Sequence, residues 1–249
     1  MNDWAPSSIL LPQGPPKPFC LIQLNQPIVH VHLFERLWAN ATIRLCADGG
    51  TNRLYDAFEN SPEKRDKHLP DEIRGDLDSI RPEVRAFYEA KGVTVTRIED
   101  QNSTDFTKCV CLMKEKEAKL GIKDLDVVAM SAIGGRFDQT IASINTLYFM
   151  KHEKNRHYVL VSDENLTILL DKGIHHLQCS EYDGPTCGVM PIGSPATITT
   201  KGLEWNLDNT PCFFGGMVST SNAIAAECVV IETDSPVVWT SELRPENVK

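Results

Sequence analysis

Four segments of the 249-residue chain place an aspartate directly after an apolar run, beside glycine or a helix-capping residue. They are Cys46-Ala47-Asp48-Gly49-Gly50, Arg74-Gly75-Asp76-Leu77-Asp78-Ser79, Asn102-Ser103-Thr104-Asp105-Phe106 and Gly134-Gly135-Arg136-Phe137-Asp138-Gln139. Each has an ordinary explanation alone: Asp105 and Asp138 suit first helical turns, where the helix dipole favours an anion, and Asp48 before two glycines is good turn chemistry. Jointly they point further, because carboxylates gathered in one place repel each other unless a cation lies among them. Asp76-Leu77-Asp78 is the sharpest element. In an extended segment residues two apart point the same way, so both carboxylates would reach one hard cation. Mg2+ is the expected ion, since it takes oxygen ligands, keeps several waters and bridges to substrate phosphates. Phosphates also need donors. Gly49-Gly50 and Gly134-Gly135 allow backbone N–H groups to approach a ligand, each ahead of an expected helix N-terminus, and Arg53, Lys108 and Arg136 stand near them. Neither G-x-x-x-x-G-K-[ST] nor G-x-G-x-x-G occurs, which excludes the ordinary P-loop and dinucleotide fingerprints.

Such segments need a frame that brings them to one edge. From Phe19 to about Asp163 short apolar runs alternate with helical periodicity, the signature of βαβ units and a mainly parallel sheet. Strands are expected at residues 19–24, 43–47, 93–98, 127–132 and 158–161, and helices at 81–91, 106–119 and 137–150. In a parallel sheet all strand C-termini lie along one edge, where ligands bind, so the four segments would deliver five carboxylates there. Residues 60–70 are polar, charged and Pro-bounded and read as a surface loop. Beyond Glu164 glycine and proline recur at short intervals between β-prone runs such as 196–200, 228–233 and 237–240, which predicts an all-β sandwich or barrel. The expected organisation is therefore a flexible Pro-rich lead-in (1–18), an α/β nucleotide-binding domain with a mainly parallel, Rossmann-like sheet (19–164) and a C-terminal all-β sandwich (165–249).

Composition narrows the partners. Hydrophobic residues make up 41% and charged residues 24%, ordinary values for a soluble globular chain, and no apolar run approaches the roughly 20 residues of a membrane-spanning helix. A net charge of -9 without a basic patch disfavours nucleic acid and anionic membrane as partners. Eight cysteines without a C-x-x-C pair read as reduced, buried thiols, and no signal peptide is visible, so a cytoplasmic location is expected.

Six motifs in order, CADGGTNRLYD (46–56), GDLDSIRPEV (75–84), STDFTK (103–108), GRFDQ (135–139), GLEWNL (202–207) and VSTSN (218–222), resemble those of the thiamin pyrophosphokinase family. The resemblance runs from about Phe19 to Thr240. It implies transfer of the pyrophosphoryl group of ATP to the hydroxyl of thiamin, Mg2+ dependence, and a homodimer with active sites at the subunit interface. It further implies that Asp76, Asp78 and Asp105 hold Mg2+, with Asp48 and Asp138 close by in the nucleotide crevice. Gly49, Gly50, Asn52, Arg53, Thr104, Lys108, Gly135, Arg136 and Gln139 would face the nucleotide. Gln101, Trp205, Ser219, Ser221 and Asn222 would belong to the thiamin pocket, where an indole can stack on the flat aminopyrimidine. Either Asp138 or Asp48 is a candidate acceptor for the hydroxyl proton. The competing readings are a pyrophosphokinase with another small alcohol as acceptor and a catalytically silent binding protein of the same fold.

Overall fold

The computed structural model describes residues 2–248. A short strand, β1 (Asn2–Trp4), comes first. An alternating stretch follows: β2 (Phe19–Gln23), α1 (Val31–Asn40), β3 (Ile43–Ala47), α2 (Gly50–Ala57), α3 (Pro62–Lys67), β4 (Glu72–Gly75), α4 (Pro82–Ala90), β5 (Thr94–Arg97), α5 (Asp105–Leu120), β6 (Asp126–Met130), α6 (Phe137–Met150) and β7 (Tyr158–Val161). Eight strands complete the chain: β8 (Asn165–Leu170), β9 (Gly173–Gln178), β10 (Asp183–Met190), β11 (Ala196–Lys201), β12 (Thr210–Cys212), β13 (Ser219–Ala223), β14 (Cys228–Thr233) and β15 (Val237–Leu243). Two compact units result. One comprises Pro16–Thr146 and Glu153–Asp163, the other Met1–Pro15, Leu147–His152 and Glu164–Lys249.

In the first unit β7, β6, β2, β3, β4 and β5 pair in that order, every neighbour parallel. Strands β2, β6 and β7 are buried at every position from Phe19 to Gln23, Val127 to Met130 and Tyr158 to Val161, as expected of a parallel sheet covered by helices on both faces. The chain leaves β2 towards β3 on one side and later enters β6 on the other. Their adjacent C-terminal ends therefore form the switch point where α/β sheets open a crevice. The helix α5 starts where the Thr104 hydroxyl accepts the Thr107 N–H at 3.2 Å and stops at Gly121, whose φ of 68° suits glycine. A buried ion pair fastens it: Arg156, just ahead of β7, reaches both oxygens of Glu117 on α5 at 2.8 and 2.9 Å.

The second unit holds two sheets, β13-β10-β15-β8 and β1-β9-β14-β11-β12. Burial alternates along β11 and β14, and along β15 from Trp239 onward, the period-two pattern of strands with one inward face.

Two expectations change. The lead-in is no free tail: β1 pairs parallel with β9 from Asn2↔His175 to Trp4↔Leu177, and Ile9 and Leu10 are buried. The Trp4 indole N–H donates to His175 Nδ1 at 3.0 Å, a contact 171 residues apart that no local pattern announces. The segment 60–70 contains α3, with proline at its first position, and His68 behind it stacks on Phe58 with ring centroids 4.3 Å apart.

Candidate active site

The C-terminal ends of β2, β3, β4 and β6, with the first turns of α5 and α6, enclose a cavity of about 300 Å³. Asp48 follows β3 directly, with φ 38°, and only 1% of it is exposed. Its carboxylate accepts the Ser79 N–H at 3.2 Å and the Ile80 N–H at 3.0 Å, so it fixes the loop after β4. Burial, with Asp105 and Asp76 adding repulsion, pushes the Asp48 carboxyl up to about 6.

One carboxylate oxygen each from Asp48, Asp76 and Asp105 lie within 4.8 Å of one another. Three oxygens at that spacing suit one hard cation. Asp105 is raised above the usual carboxylate range, mainly by burial. Lys108, one turn along α5 and nearly buried, places Nζ 3.1 Å from Asp105 and 3.9 Å from Asp76, offsetting part of the negative charge. Glycine at 75 allows this crowding: a Cβ there would lie 2.6 Å from Asp48 Cβ and 3.2 Å from Asp105 Oδ1.

The arrangement departs from the extended Asp76-Leu77-Asp78 pair expected above. Leu77 has φ 63°, in the left-handed region, so the segment is kinked rather than extended. Asp76 joins Asp48 and Asp105, while Asp78 accepts the Ser79 hydroxyl at 2.7 Å, which holds its carboxyl below the usual range. Asp78 still lines the cavity beside the three. Asp138 does not join them. It is exposed and clasped by Arg136 through two bonds of 3.1 and 2.5 Å, which lowers its carboxyl below the usual range and leaves it a weak proton acceptor.

The residues expected to face a nucleotide divide in the same way. Gly49, Thr104, Arg136 and Gln139 line the cavity. Asn52 instead ties the loop after β4, donating to Ser79 O at 2.8 Å and accepting the Arg81 N–H at 3.0 Å. Arg53 donates to Asn25 Oδ1 at 2.9 Å. Gly50 packs against the backbone of Gln23, and Gly135, with φ 61°, against the Gln26 side chain. Lining residues that motif reading passed over are Asn25, Gln26, Ser79, Ser131 and Ser143. Their types are commonplace in loops, and only their places after β2, β4 and β6 or on α6 mark them.

Of the second group, Gln101 is exposed in the turn before α5. Within the strand-rich unit Trp205, Ser219 and Asn222 come together. Asn222 accepts the Trp205 N–H at 3.2 Å and donates to Trp205 O at 2.8 Å and Ser219 Oγ at 3.3 Å. Trp205 is left 62% exposed. Ser221, with φ 55°, is exposed on β13 and outside that cluster.

Comparison with known proteins gives a consistent result. Residues 34–160 match the family model "Thiamin pyrophosphokinase, catalytic domain", and residues 174–238 match "Thiamin pyrophosphokinase, vitamin B1 binding domain". A curated relative, thiamine pyrophosphokinase 3 of Oryza sativa subsp. japonica, is 41% identical over 238 residues, 91% of this chain and 87% of its own length. Thiamine pyrophosphokinase of Saccharomyces cerevisiae is 31% identical, with 90% and 85% covered. Among solved structures, thiamin pyrophosphokinase from Candida albicans superposes with a TM-score of 0.85 at 30% identity over 98% of this chain and 93% of that one. The yeast enzyme superposes with a TM-score of 0.90 at 27% identity over 99% and 92%.

Proposed function

The chain belongs to the thiamin pyrophosphokinase family, and from that premise we propose that it transfers the pyrophosphoryl group of ATP to the hydroxyl of thiamin, releasing AMP. The observation that carries the reading is the meeting of Asp48 and Asp76, which follow β3 and β4, with Asp105 at the start of α5, beside a buried lysine. Three oxygen donors that repel one another without a cation fit Mg2+, and these residues, with Asp78 at their edge, would hold it. When bound, the ion supplies charge neutralisation for phosphate oxygens.

The remaining work falls to the chain's own groups. The thiamin oxygen bonds to the β-phosphorus as the bond from that phosphorus to the oxygen bridging the α- and β-phosphoryl groups breaks; the bridging oxygen leaves as part of AMP, and the hydroxyl proton passes to solvent. Transition states of this kind are loose, so positioning and charge stabilisation matter more than a strong base. Lys108 brings a positive charge to the acidic end of the cavity, and Arg136, on the cavity wall, can turn from Asp138 to the phosphates. Asp48, committed to two backbone amides, holds the loop that carries Asp76 and Asp78. Trp205, Ser219 and Asn222 offer an exposed indole and polar partners suited to an aminopyrimidine.

A homodimer completes the proposal. It is supported by exposed apolar side chains at Phe137, Ile141 and Phe149 on α6 and at Trp205, Phe213 and Phe214, surface that self-association would cover. A cytoplasmic location is supported by eight unpaired cysteines. Incubation with ATP, Mg2+ and thiamin tests the function: AMP should accumulate only when all three are present. ADP as the nucleotide product would indicate a simple kinase, and binding of both substrates without AMP release would refute catalysis.

A further inference from the structure

The three clustered carboxylates arrive on separate segments: Asp48 just after β3, Asp76 just after β4 and Asp105 at the start of α5. Arg74, on β4, is tied to all three. Its backbone oxygen accepts the Asp48 N–H at 3.1 Å, and Asp76 follows two positions along the chain. Its buried guanidinium reaches α5 and grips Glu115 with two prongs, Nη1 donating to Oε1 at 2.7 Å and Nη2 to Oε2 at 3.0 Å. Nη2 also approaches Glu72 Oε1 on its own strand at 3.4 Å. Glu72 in turn accepts the Thr96 hydroxyl from β5 at 2.9 Å and pairs with Lys116 of α5 at 3.1 Å. None of these side chains lines the cavity.

We infer that Arg74 and Glu115 form a positioning clamp, which sets how far α5 stands along β4 and hence the spacing of Asp105 and Lys108 from Asp48 and Asp76. The inference rests on the reading of the acid cluster as the Mg2+ and phosphate end of a pyrophosphokinase site. The buried apolar face of α5, with Phe106, Cys109, Val110 and Met113, holds the helix to the sheet, but such contacts have little direction. A two-pronged charged contact is directional and fixes register where apolar packing permits a slide. Glu115 lies ten residues beyond Asp105, about 15 Å along a stiff helix, so holding the one holds the other. The other polar anchor of α5, Glu117 to Arg156, ties it towards β7, away from the strands that carry Asp48 and Asp76. Carboxylate oxygens of Asp76 and Asp105 within 4.8 Å of each other repel, so the helix start bears a load that the clamp opposes. Stability alone would not require an arginine here. Its Nε is buried without a partner, and a buried ion pair adds little stability over well-packed apolar side chains, whereas it does select one arrangement.

The test uses the full-length protein and the variants Arg74→Met, Glu115→Ala and the two combined. The Glu115 side chain is half-exposed and alanine suits a helix surface, so Glu115→Ala opens the clamp with little risk to folding. Each single variant should lower kcat by about 10- to 100-fold, the scale of a displacement near 1 Å, while the KM for thiamin changes by less than about 2-fold. The combined variant should be no worse than the worse single one, because either loss opens the same contact. In thermal melts with Mg2+ alone, the concentration giving half of the rise in melting temperature should increase by about 10-fold in all three. A lowered melting temperature with kcat and the Mg2+ midpoint unchanged would reduce Arg74 to a support of the fold and overturn the inference. Losses that add in the combined variant, or a loss confined to the KM for thiamin, would overturn it too. Should Arg74→Met fail to fold, Glu115→Ala decides by its kcat and Mg2+ midpoint. Failure of the underlying reading shows separately: the unaltered chain would release no AMP from ATP and thiamin, while the Mg2+ midpoints would still report on the clamp.

Discussion

Asp105 carries a charge that its surroundings oppose. Burial and the neighbouring Asp76 raise its carboxyl, and Lys108 offsets only part of the repulsion. A carboxyl raised in the folded state destabilises that state at neutral pH, so the neutral Asp105→Asn should melt higher than the unaltered chain in metal-free buffer. The same change removes one of three oxygens able to meet a cation. Turnover should fall by about 10²- to 10³-fold, the scale of losing one preorganised electrostatic contact, and Mg2+ should no longer raise the melting temperature as it does in the unaltered chain. Thermal melts with and without Mg2+, read beside kcat, check both; a variant that keeps its turnover and its Mg2+ response would remove Asp105 from the site. The aspartates were legible in the sequence because a carboxylate at the end of an apolar strand is out of place. Gln26 and Ser143 were not, since neutral side chains in loops and helices draw no notice until the fold shows what they face. The grouping of Asp76 with Asp48 instead of Asp78 was hidden too, because it depends on the left-handed backbone of Leu77.

Among the elements, the approach of β3 to β4 decides whether the carboxylates meet. Gly75→Ala would drive a methyl group to 2.6 Å from Asp48 Cβ and force the two strand ends apart. Stability should drop by about 1–3 kcal/mol, as for other overpacked positions, and kcat should fall more than the KM for either substrate changes. Steady-state kinetics with a denaturant melt measure this; full activity would show that the spacing is not critical. The N-terminal strand yields a pH prediction. His175 accepts the Trp4 indole N–H at Nδ1 and lies 2.6 Å from Asp171 O at Nε2, so the neutral ring is required, and burial holds its pKa below the usual imidazole range. The unfolded chain then binds the proton more readily. This contribution is present above about pH 6.5 and is lost as pH falls through the lower folded value. Protection of the Trp4 indole N–H from hydrogen exchange, corrected for intrinsic rates, should hold at pH 7.5 and collapse under acid conditions. Constant protection down to pH 5 would contradict it. Helices and strands with strong local periodicity, such as α5, α6 and β3, were readable from the chain alone. The pairing of β1 with β9 was not, because three residues carry no period and their partner lies more than 170 positions away.

At the scale of the whole molecule, an acid excess of nine charges says little, whereas its partition says much. Some carboxylates pair with surface cations, as in Lys64–Glu35 and Arg85–Glu89, while four line one cavity after β3 and β4 and at the start of α5. The strand-rich unit keeps an indole exposed beside Ser219 and Asn222, and it takes in the first 15 residues of the chain as well as the C-terminal strands. Texture alone marked the change near Glu164 but could not show that the chain's start belongs with its end. The central claim is that the chain moves a pyrophosphoryl group, which means attack at the β-phosphorus of ATP. Incubating the protein with thiamin, Mg2+ and ATP labelled at the β-phosphorus tests it most directly. The label should appear in thiamin diphosphate, with unlabelled AMP in equal amount; label retained in ADP would contradict the account.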